Sequence, residues 1–539
     1  MSALAPVLRA RAAWRGLGRW PRLAILFGLG AISALAHAPF FFQPAYILAL
    51  CGLLLALDDA RRTARPVRSA LLRGWVFGCG YFLAGMYWVA NAFLVNDDYI
   101  WLVWAPLTLF PGGLAIFWAV PSAIYTRFAP SGPARIGWFA LVFLLAELAR
   151  ANVLSGFAWN LSGHVFQAGG ALSQAASLIG ATGLSAFALY AFVAPAALLG
   201  PGRILPRLAP LGAGLCILTG FWVFGAARLA QAELETTGHT VRVAQLDWPQ
   251  AEIRPENLDA VLDEYLAVST QESLGDVDAL IWPEGAIPAW LMNEPRVLRR
   301  LAEVLPDGTL LIVGAPHVEF GESTDQDRYY NSLHVLEIEQ GQIVPTARYD
   351  KARLVPFGEA NTLAALTRPF GLETLSQYGF GFDPGAGPAT LRLEDLPGFA
   401  PLICYEVIYP RWILRAQDRP LWLLNISNDA WFGQSSGPSQ LLNLTAYRSI
   451  EEGLPTIRSA SSGSSGQIDS YGRSQVLVTV EYSQAFDLSL LKGLDETVYA
   501  EYPVWIWVTA FSVLIALTAC LAPSGVLAVR RGASRRAIS

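Results

Sequence analysis

The sequence predicts a multi-pass α-helical membrane domain of about eight transmembrane helices, joined to one extracytoplasmic α/β domain inserted before the last helix. Three observations predict it. Hydrophobic residues make up 53% of the 539 residues and charged residues 15%, where a soluble domain carries roughly 25% charge. Apolar runs long enough to cross a bilayer crowd residues 20–230 and recur near 503–529. The charge also divides. Residues 1–230 and 503–539 hold 20 arginines against 5 acidic residues, whereas 231–502 hold 18 basic and 38 acidic ones, so the two parts suit different environments. This composition excludes a soluble multidomain enzyme, a disordered chain and a nucleic-acid binder. Five cysteines are too few for a disulfide scaffold. Five scattered histidines, without CxxC or HExxH spacing, argue against zinc, and no metal or cofactor is expected.

The expected spans are 22–39, 44–57, 70–95, 100–128, 136–153, 174–200, 207–229 and 503–529. The second is the shortest. Tyr99, Trp101, Trp104, Tyr502 and Trp505 read as interfacial anchors. With eight spans, the arginine clusters at Arg9–Arg22, Arg61–Arg68, Arg127 with Arg135, Arg203 with Arg207, and Arg530–Arg536 all fall on one side. The positive-inside rule makes that side cytoplasmic. Both termini are then cytoplasmic, and the expected division is 1–230 with seven helices, 231–502 outside, and 503–539 as the eighth helix with a basic tail. A second reading makes the start a cleavable signal ending at Ala36-His37-Ala38; it leaves the facing of the rest unchanged. Glu147 and Arg150, one turn apart, read as a structural ion pair. No internal repeat supports an inverted-repeat transporter.

From residue 238, short β-branched runs alternate with helical stretches. Strands are expected at Thr240–Leu246, Ala279–Trp282, Leu310–Gly314, Ala400–Cys404 and Leu421–Ile426, and helices at Glu256–Glu272, Arg296–Val304 and Ser439–Glu452. Tyr330–Glu339 and Ile343–Tyr349 flank Gln340-Gly341, a hairpin signal. The Gly/Pro-rich 379–388 reads as a loop.

Three strand-end loops carry the reactive side chains, where open α/β sheets hold their ligands. Cys404 is the only cysteine outside the expected spans. It is either a small buried hydrophobe or a nucleophile at a strand-to-turn position. The chain has 36 arginines and two lysines, Lys351 and Lys492. Lys351 is therefore either a chance survivor, as Lys492 is, or a compact cation in a place where a planar guanidinium does not fit. Glu284, after an apolar strand and Pro283, is either a capped loop end or a partly desolvated general base. A Cys–His dyad would need His317 or His334 to approach by folding.

Taken together, the loops Trp282-Pro283-Glu284, Lys351 with Leu354-Val355-Pro356-Phe357-Gly358-Glu359, Ile403-Cys404-Tyr405-Glu406 and Asn425-Ile426-Ser427-Asn428-Asp429-Ala430-Trp431-Phe432-Gly433 resemble the nitrilase superfamily. Within it the chain is similar to the apolipoprotein N-acyltransferases of bacterial envelopes, with Tyr330-Asn331-Ser332, Arg448, Arg458, Pro39-Phe40 and Gly156-Phe157-Ala158-Trp159 also fitting. The resemblance covers nearly the whole chain. It departs at Asp247-Trp248, at Ala360-Asn361 and at Ser439-Gln440-Leu441, all outside the catalytic positions.

The resemblance implies a nitrilase-like αββα sandwich facing the periplasm from the inner membrane. Glu284 would be general base, Lys351 the oxyanion-stabilising cation and Cys404 the nucleophile. Glu359 would orient Lys351, Tyr405 and Glu406 would wall the cysteine, and Trp431 would meet substrate. The implied activity is transfer of a fatty acyl chain, through a Cys thioester, from a phospholipid such as phosphatidylethanolamine to the N-terminal amine of a diacylglyceryl-cysteine apolipoprotein. The protein is expected as a monomer. Residues 360–385, rich in Leu and Phe, read either as an apolar lid or as an ordinary surface loop. Two rival readings stand beside this one: a membrane-tethered nitrilase-type amidase, and a non-catalytic lipoprotein-binding scaffold.

Overall fold

The computed structural model describes residues 5–521, apart from 96, 154, 201–202, 250–251, 324–325, 357, 361–380, 414–417 and 480–481. The expected lid, except for its two ends, and the basic tail lie outside the described residues. Among those described, six helices are long and apolar enough to cross a membrane: Gln43–Ala60, Pro66–Phe93, Tyr99–Phe128, Gly132–Asn152, Leu172–Leu199 and Ile204–Ala230. Shorter apolar helices, Arg19–Ser33 and Pro503–Cys520, occupy the first and last of the eight expected spans.

Two spans are broken for visible reasons. Tyr99–Phe128 is assembled from short pieces, with Pro111 and Pro121 inside them, since proline removes an intrahelical hydrogen bond. The Ala176–Val193 helix is interrupted at Gly180, whose φ of 68° only glycine adopts cheaply. Helix Arg19–Ser33 meets Pro66–Met86 closely enough that a Cβ at Gly30 would strike the Phe77 carbonyl, and one at Gly80 the Phe27 carbonyl. Small residues allow such backbone approach in membranes, where packing replaces the hydrophobic effect.

After Ala230 the chain builds two sheets. The first contains β1 (Thr236–Gln245), β2 (Ala279–Trp282), β3 (Leu310–Glu319), β4 (Arg328–Glu339), β5 (Gln342–Asp350) and β11 (Gln484–Leu491), in the order β11-β1-β2-β3-β4-β5. The second contains β6 (Phe399–Ile403), β7 (Trp422–Asn428), β8 (Thr456–Ser461), β9 (Ser464–Ile468) and β10 (Ser474–Thr479), in the order β10-β9-β8-β7-β6. In each sheet three neighbouring strands run parallel, β1-β2-β3 and β6-β7-β8. Helices Leu258–Ser269 and Pro295–Val304 pack on the outer face of the first sheet, against Leu246, Leu280, Trp282 and Val313. The inner faces, with Val243, Ile281, Ile312, Ile403 and Ile426, share one apolar core that continues into the membrane bundle. This is the αββα sandwich expected. Strands β8 to β11 lie outside the expected strands; β8 and β9 carry four Ser and one Gly among their eleven residues, a loop-like composition, although both are largely buried.

Helix Gly437–Glu452 covers the second sheet and is pressed between it and the bundle. Residues on its bundle side, at helical spacing, reach membrane-domain main chain. Gln440 Nε2 donates to the Gly85 carbonyl (3.1 Å), Asn443 Oδ1 accepts from Ala168 N (3.0 Å), Tyr447 Oη donates to the Gly163 carbonyl (2.9 Å), and Glu451 Oε1 accepts from Ala181 N (2.7 Å). The last of these satisfies an N–H beside the Gly180 break, a group that could not be left unpaired in an apolar setting. The α/β domain is thus seated on the bundle by a polar seam.

Candidate active site

Three strand ends deliver the predicted residues to one place. Glu284 lies two residues beyond β2, Lys351 follows β5 directly, and Cys404 follows β6 directly. β5 runs parallel to β3 because each pairs antiparallel with β4, so all three stand at carboxyl ends of strands.

The centre is a buried cation between two carboxylates. Lys351 Nζ, 1% exposed, lies 3.1 Å from Glu284 Oε1 and 2.8 Å from Glu359 Oε1. Asn331 Nδ2 donates to the same two oxygens, at 2.8 Å to Glu284 and 2.7 Å to Glu359. The outer oxygens are pinned by main chain: Asn428 N donates to Glu284 Oε2 and Val355 N to Glu359 Oε2, both at 2.8 Å. Burial by itself would drive the Lys351 proton off. The negative charges of Glu284 and Glu359 outweigh it and hold the ammonium above its ordinary range.

Cys404 is 8% exposed. Its φ of 49° is left-handed, a conformation that costs a residue with a Cβ roughly 1–3 kcal/mol and marks functional turns. Burial pushes the thiol up and the Glu284 charge adds to the push, while Lys351 pulls it down; the balance leaves the thiol well above its ordinary value. The sulfur therefore feels both charged partners, and at neutral pH it carries its proton.

Glu406 is fully buried and ties the cysteine turn to the lysine turn. Its Oε1 accepts from Tyr349 Oη (2.9 Å), Ala352 N (2.9 Å) and Arg353 N (3.2 Å), and its Oε2 from Ile403 N (2.9 Å). Burial pushes its pKa up to about 7. Tyr405 donates to the Gly156 carbonyl of the membrane domain at 3.2 Å. Behind the turn, Arg458 holds Asp429 with bonds of 2.8 and 2.6 Å, and Ser427 donates to Asp429 Oδ1 at 2.7 Å.

Family patterns and relatives match the chain over most of its length. Residues 29–194 match the family described as apolipoprotein N-acyltransferase N-terminal domain, and residues 240–477 match carbon-nitrogen hydrolase. Proteins named apolipoprotein N-acyltransferase from Rhodopseudomonas palustris, Caulobacter vibrioides and Brucella melitensis are 34%, 37% and 33% identical to the chain. The matches cover 92%, 85% and 96% of this chain and 95%, 86% and 97% of those proteins. The chain belongs to the apolipoprotein N-acyltransferase family.

Of the positions this family resemblance singled out, Glu284, Lys351 and Glu359 are joined by direct bonds, and Cys404, Tyr405 and Glu406 form the adjoining turn. Trp431 is half-buried; its neighbour Phe432 makes the aromatic contacts, at 4.8 Å to Trp88 and 6.0 Å to Trp159. Asn331, which bridges the carboxylates, was noted as a fitting residue but given no role. A bulge hides its signal: counted straight from the Gln340-Gly341 turn, Asn331 would fall opposite Asp350, but the register shifts between Val335 and Leu336, which sets Ser332 opposite Asp350 and Asn331 beside Lys351. His317 and His334 pack on each other at 5.6 Å, and His317 also touches Arg348. Among the described residues no group of three His, Cys, Asp or Glu is placed to hold a metal ion. The expected ion pair between Glu147 and Arg150 does not form; both instead bond the Phe157–Ser162 stretch, Arg150 its carbonyls and Glu147 the main chain and hydroxyl of Ser162.

Proposed function

We propose that the chain N-acylates apolipoproteins by a two-step transfer through Cys404. The observation that carries this reading is the Lys351 ammonium fixed between Glu284 and Glu359, beside a thiol on a left-handed turn. A thiol held neutral needs a base at the moment of attack. Glu284 takes the S–H proton as the sulfur adds to the ester carbonyl of a phospholipid. Lys351 stabilises the developing oxyanion, a contribution of about 3–4 kcal/mol per donor. The carbonyl re-forms, the C–O bond breaks, and the lysophospholipid alcohol leaves with the proton returned by Glu284. The thioester is then attacked by the α-amine of a diacylglyceryl-cysteine N-terminus. Glu284 takes the amine proton, the C–S bond breaks and the thiol is restored, leaving an amide.

Physical cost explains why such a site sits on a membrane bundle. Exposing an acyl chain to water costs about 0.8 kcal/mol per CH₂, a sum no fast water-side route absorbs for a long chain. The arginine pattern supports a bacterial inner-membrane protein with both termini cytoplasmic and residues 231–502 in the periplasm, between membrane parts 1–230 and 503–539. We place phosphatidylethanolamine as the donor and a monomer as the working unit.

Intact-protein mass spectrometry after mixing with phospholipid tests this. Wild type should gain the mass of one acyl chain and Cys404→Ala none. Adding a diacylglyceryl-cysteine peptide should discharge the adduct as an N-acyl peptide. Discharge to free fatty acid alone would favour an amidase-like hydrolase. An adduct on Cys404→Ala would remove the nucleophile.

A further inference from the structure

Arg150 lies near the end of the Gly132–Asn152 span and is 3% exposed. A guanidinium buried in a helical bundle must find acceptors. Among the described residues, its acceptors are main-chain carbonyls of the loop that follows. Nη1 donates to Phe157 O at 3.0 Å and to Trp159 O at 2.6 Å, and Nη2 reaches Asn160 O at 3.4 Å. Glu147, one turn earlier on the same helix face, holds the next stretch. Its Oε1 accepts from Ser162 N at 3.0 Å and from Ser162 Oγ at 2.5 Å. Tyr81 Oη adds a bond to Asn160 O at 2.8 Å.

The loop so held faces the α/β domain at the nucleophile's neighbour. The Gly156 carbonyl accepts from Tyr405 Oη at 3.2 Å and from Tyr409 Oη at 3.1 Å. The Phe157 ring stacks on Tyr405, centroids 6.4 Å apart. Trp159 Nε1 donates to Gln440 Oε1 at 2.8 Å. A continuous chain of bonds thus runs from two charges inside the bundle, through the main chain of the 156–162 stretch, to the residue next to the strained Cys404.

We propose that Arg150 and Glu147 are positioning residues for acyl transfer: they fix the 155–162 loop against Tyr405 and so set the aim of the Cys404 turn. The proposal rests on the reading of Cys404 as nucleophile. It differs from a generic folding role in one respect. Loss of the clamp displaces the turn while leaving the lipid-facing surface in place, so the acylation rate falls and the phospholipid concentration at half-saturation does not move.

The test uses the full chain in detergent micelles with phosphatidylethanolamine. Arg150→Gln should slow single-turnover acylation of Cys404 by about 10²-fold, the scale of a 1 Å misplacement, at unchanged half-saturation. Arg150→Lys, which keeps the charge but not the fork, should recover part of the rate. Tyr405→Phe combined with Arg150→Gln should be no slower than Arg150→Gln alone, because both cut one chain of contacts. A wild-type rate in Arg150→Gln, or losses that multiply in the double variant, would overturn the proposal. Should Arg150→Gln fail to fold, Glu147→Gln carries the same comparison with a nearly isosteric change. Alkylation of Cys404 by iodoacetamide reads the turn whether or not the thiol accepts an acyl chain. An unchanged alkylation rate in the Arg150 variants therefore sinks the clamp, whereas a wild-type protein that never gains an acyl chain sinks the nucleophile.

Discussion

In the α/β domain the buried Lys351 faces two carboxylates, whereas in the membrane domain the buried Arg150 and Glu147 face the 157–162 loop. Lys351 sits between Glu284 and Glu359; Arg150 and Glu147 bind a loop. Both arrangements satisfy groups that low dielectric would otherwise penalise. They differ in what can change. A carboxylate paired with an ammonium, with a thiol within reach of its charge, can take a proton when its neighbours reorganise. A guanidinium bonded to three carbonyls can only hold them. On the proposed reading, the same residue chemistry serves reactivity in one half and position in the other, and the partner decides which.

Removing the cation should break this contrast most severely. Lys351→Ala leaves Glu284 and Glu359 buried and facing each other without a counter-charge, and it removes the proposed oxyanion donor. Acyl-enzyme formation should fall by about 10³-fold or more. Lys351→Arg should fare nearly as badly, because a planar fork cannot take the place of a point charge 2.8 and 3.1 Å from two carboxylates. A single-turnover assay that finds the Arg variant within tenfold of wild type would mean that charge without shape suffices.

Glu284→Gln should come next, with a loss of about 10²–10⁴-fold in acyl transfer, the usual weight of a general base. Its effect on the thiol has the opposite sign. The Glu284 charge holds the Cys404 thiol up, so removing it should shift the pH profile of iodoacetamide alkylation to lower pH and quicken alkylation near pH 8. Lys351→Ala should shift that profile upward. Profiles that move together would show that the two groups do not oppose each other at the sulfur.

Glu359→Gln should cost about tenfold. Glu359 reaches Lys351, Asn331 and Val355 N. Lys351 keeps one carboxylate partner when it is lost. If Glu359→Gln proves more harmful than Glu284→Gln, the two carboxylates have been given each other's roles.

Much of this contrast was legible in the sequence where side-chain chemistry follows an apolar strand. Trp282-Pro283-Glu284, Tyr349-Asp350-Lys351 and Ile403-Cys404 each announce a strand end, and strand ends converge in an α/β sheet. What stayed hidden depends on partners that periodicity does not encode. Strands β8 and β9 contain Ser-Ala-Ser and Ser-Ser-Gly, which read as loop, yet they are buried because the ladder and groups such as Arg458 satisfy them. The one-turn spacing of Glu147 and Arg150 was visible and suggested a pair; nothing in it showed that Ser162 and the carbonyls of Phe157 and Trp159 return to take both. The break at Gly180 was equally silent, since its freed N–H is capped from Glu451, 270 residues away in the chain.

Glu406 separates the influence of partner from that of location. It lies in the α/β domain, yet like Arg150 and Glu147 it faces mostly main chain, accepting from Ile403, Ala352 and Arg353 N. If the partner decides the role, Glu406 braces the two turns and moves no proton during transfer. Burial raises its pKa from 4.5 to about 7. The folded protein therefore binds this proton more tightly than the unfolded chain, so the stability it contributes is present below pH 4.5 and is lost as pH rises through about 7. Glu406→Gln mimics the protonated acid and cannot ionise. Raising the pH from 5 to 8 should lower the melting temperature of wild type relative to Glu406→Gln by a few degrees, on the order of 2–3 kcal/mol. Thermal unfolding of both proteins in detergent at the two pH values measures the gap. A gap that stays constant would mean that the four donors keep Glu406 ionised throughout, and that fixed dipoles can hold a buried charge in this half of the molecule as firmly as they do in the other.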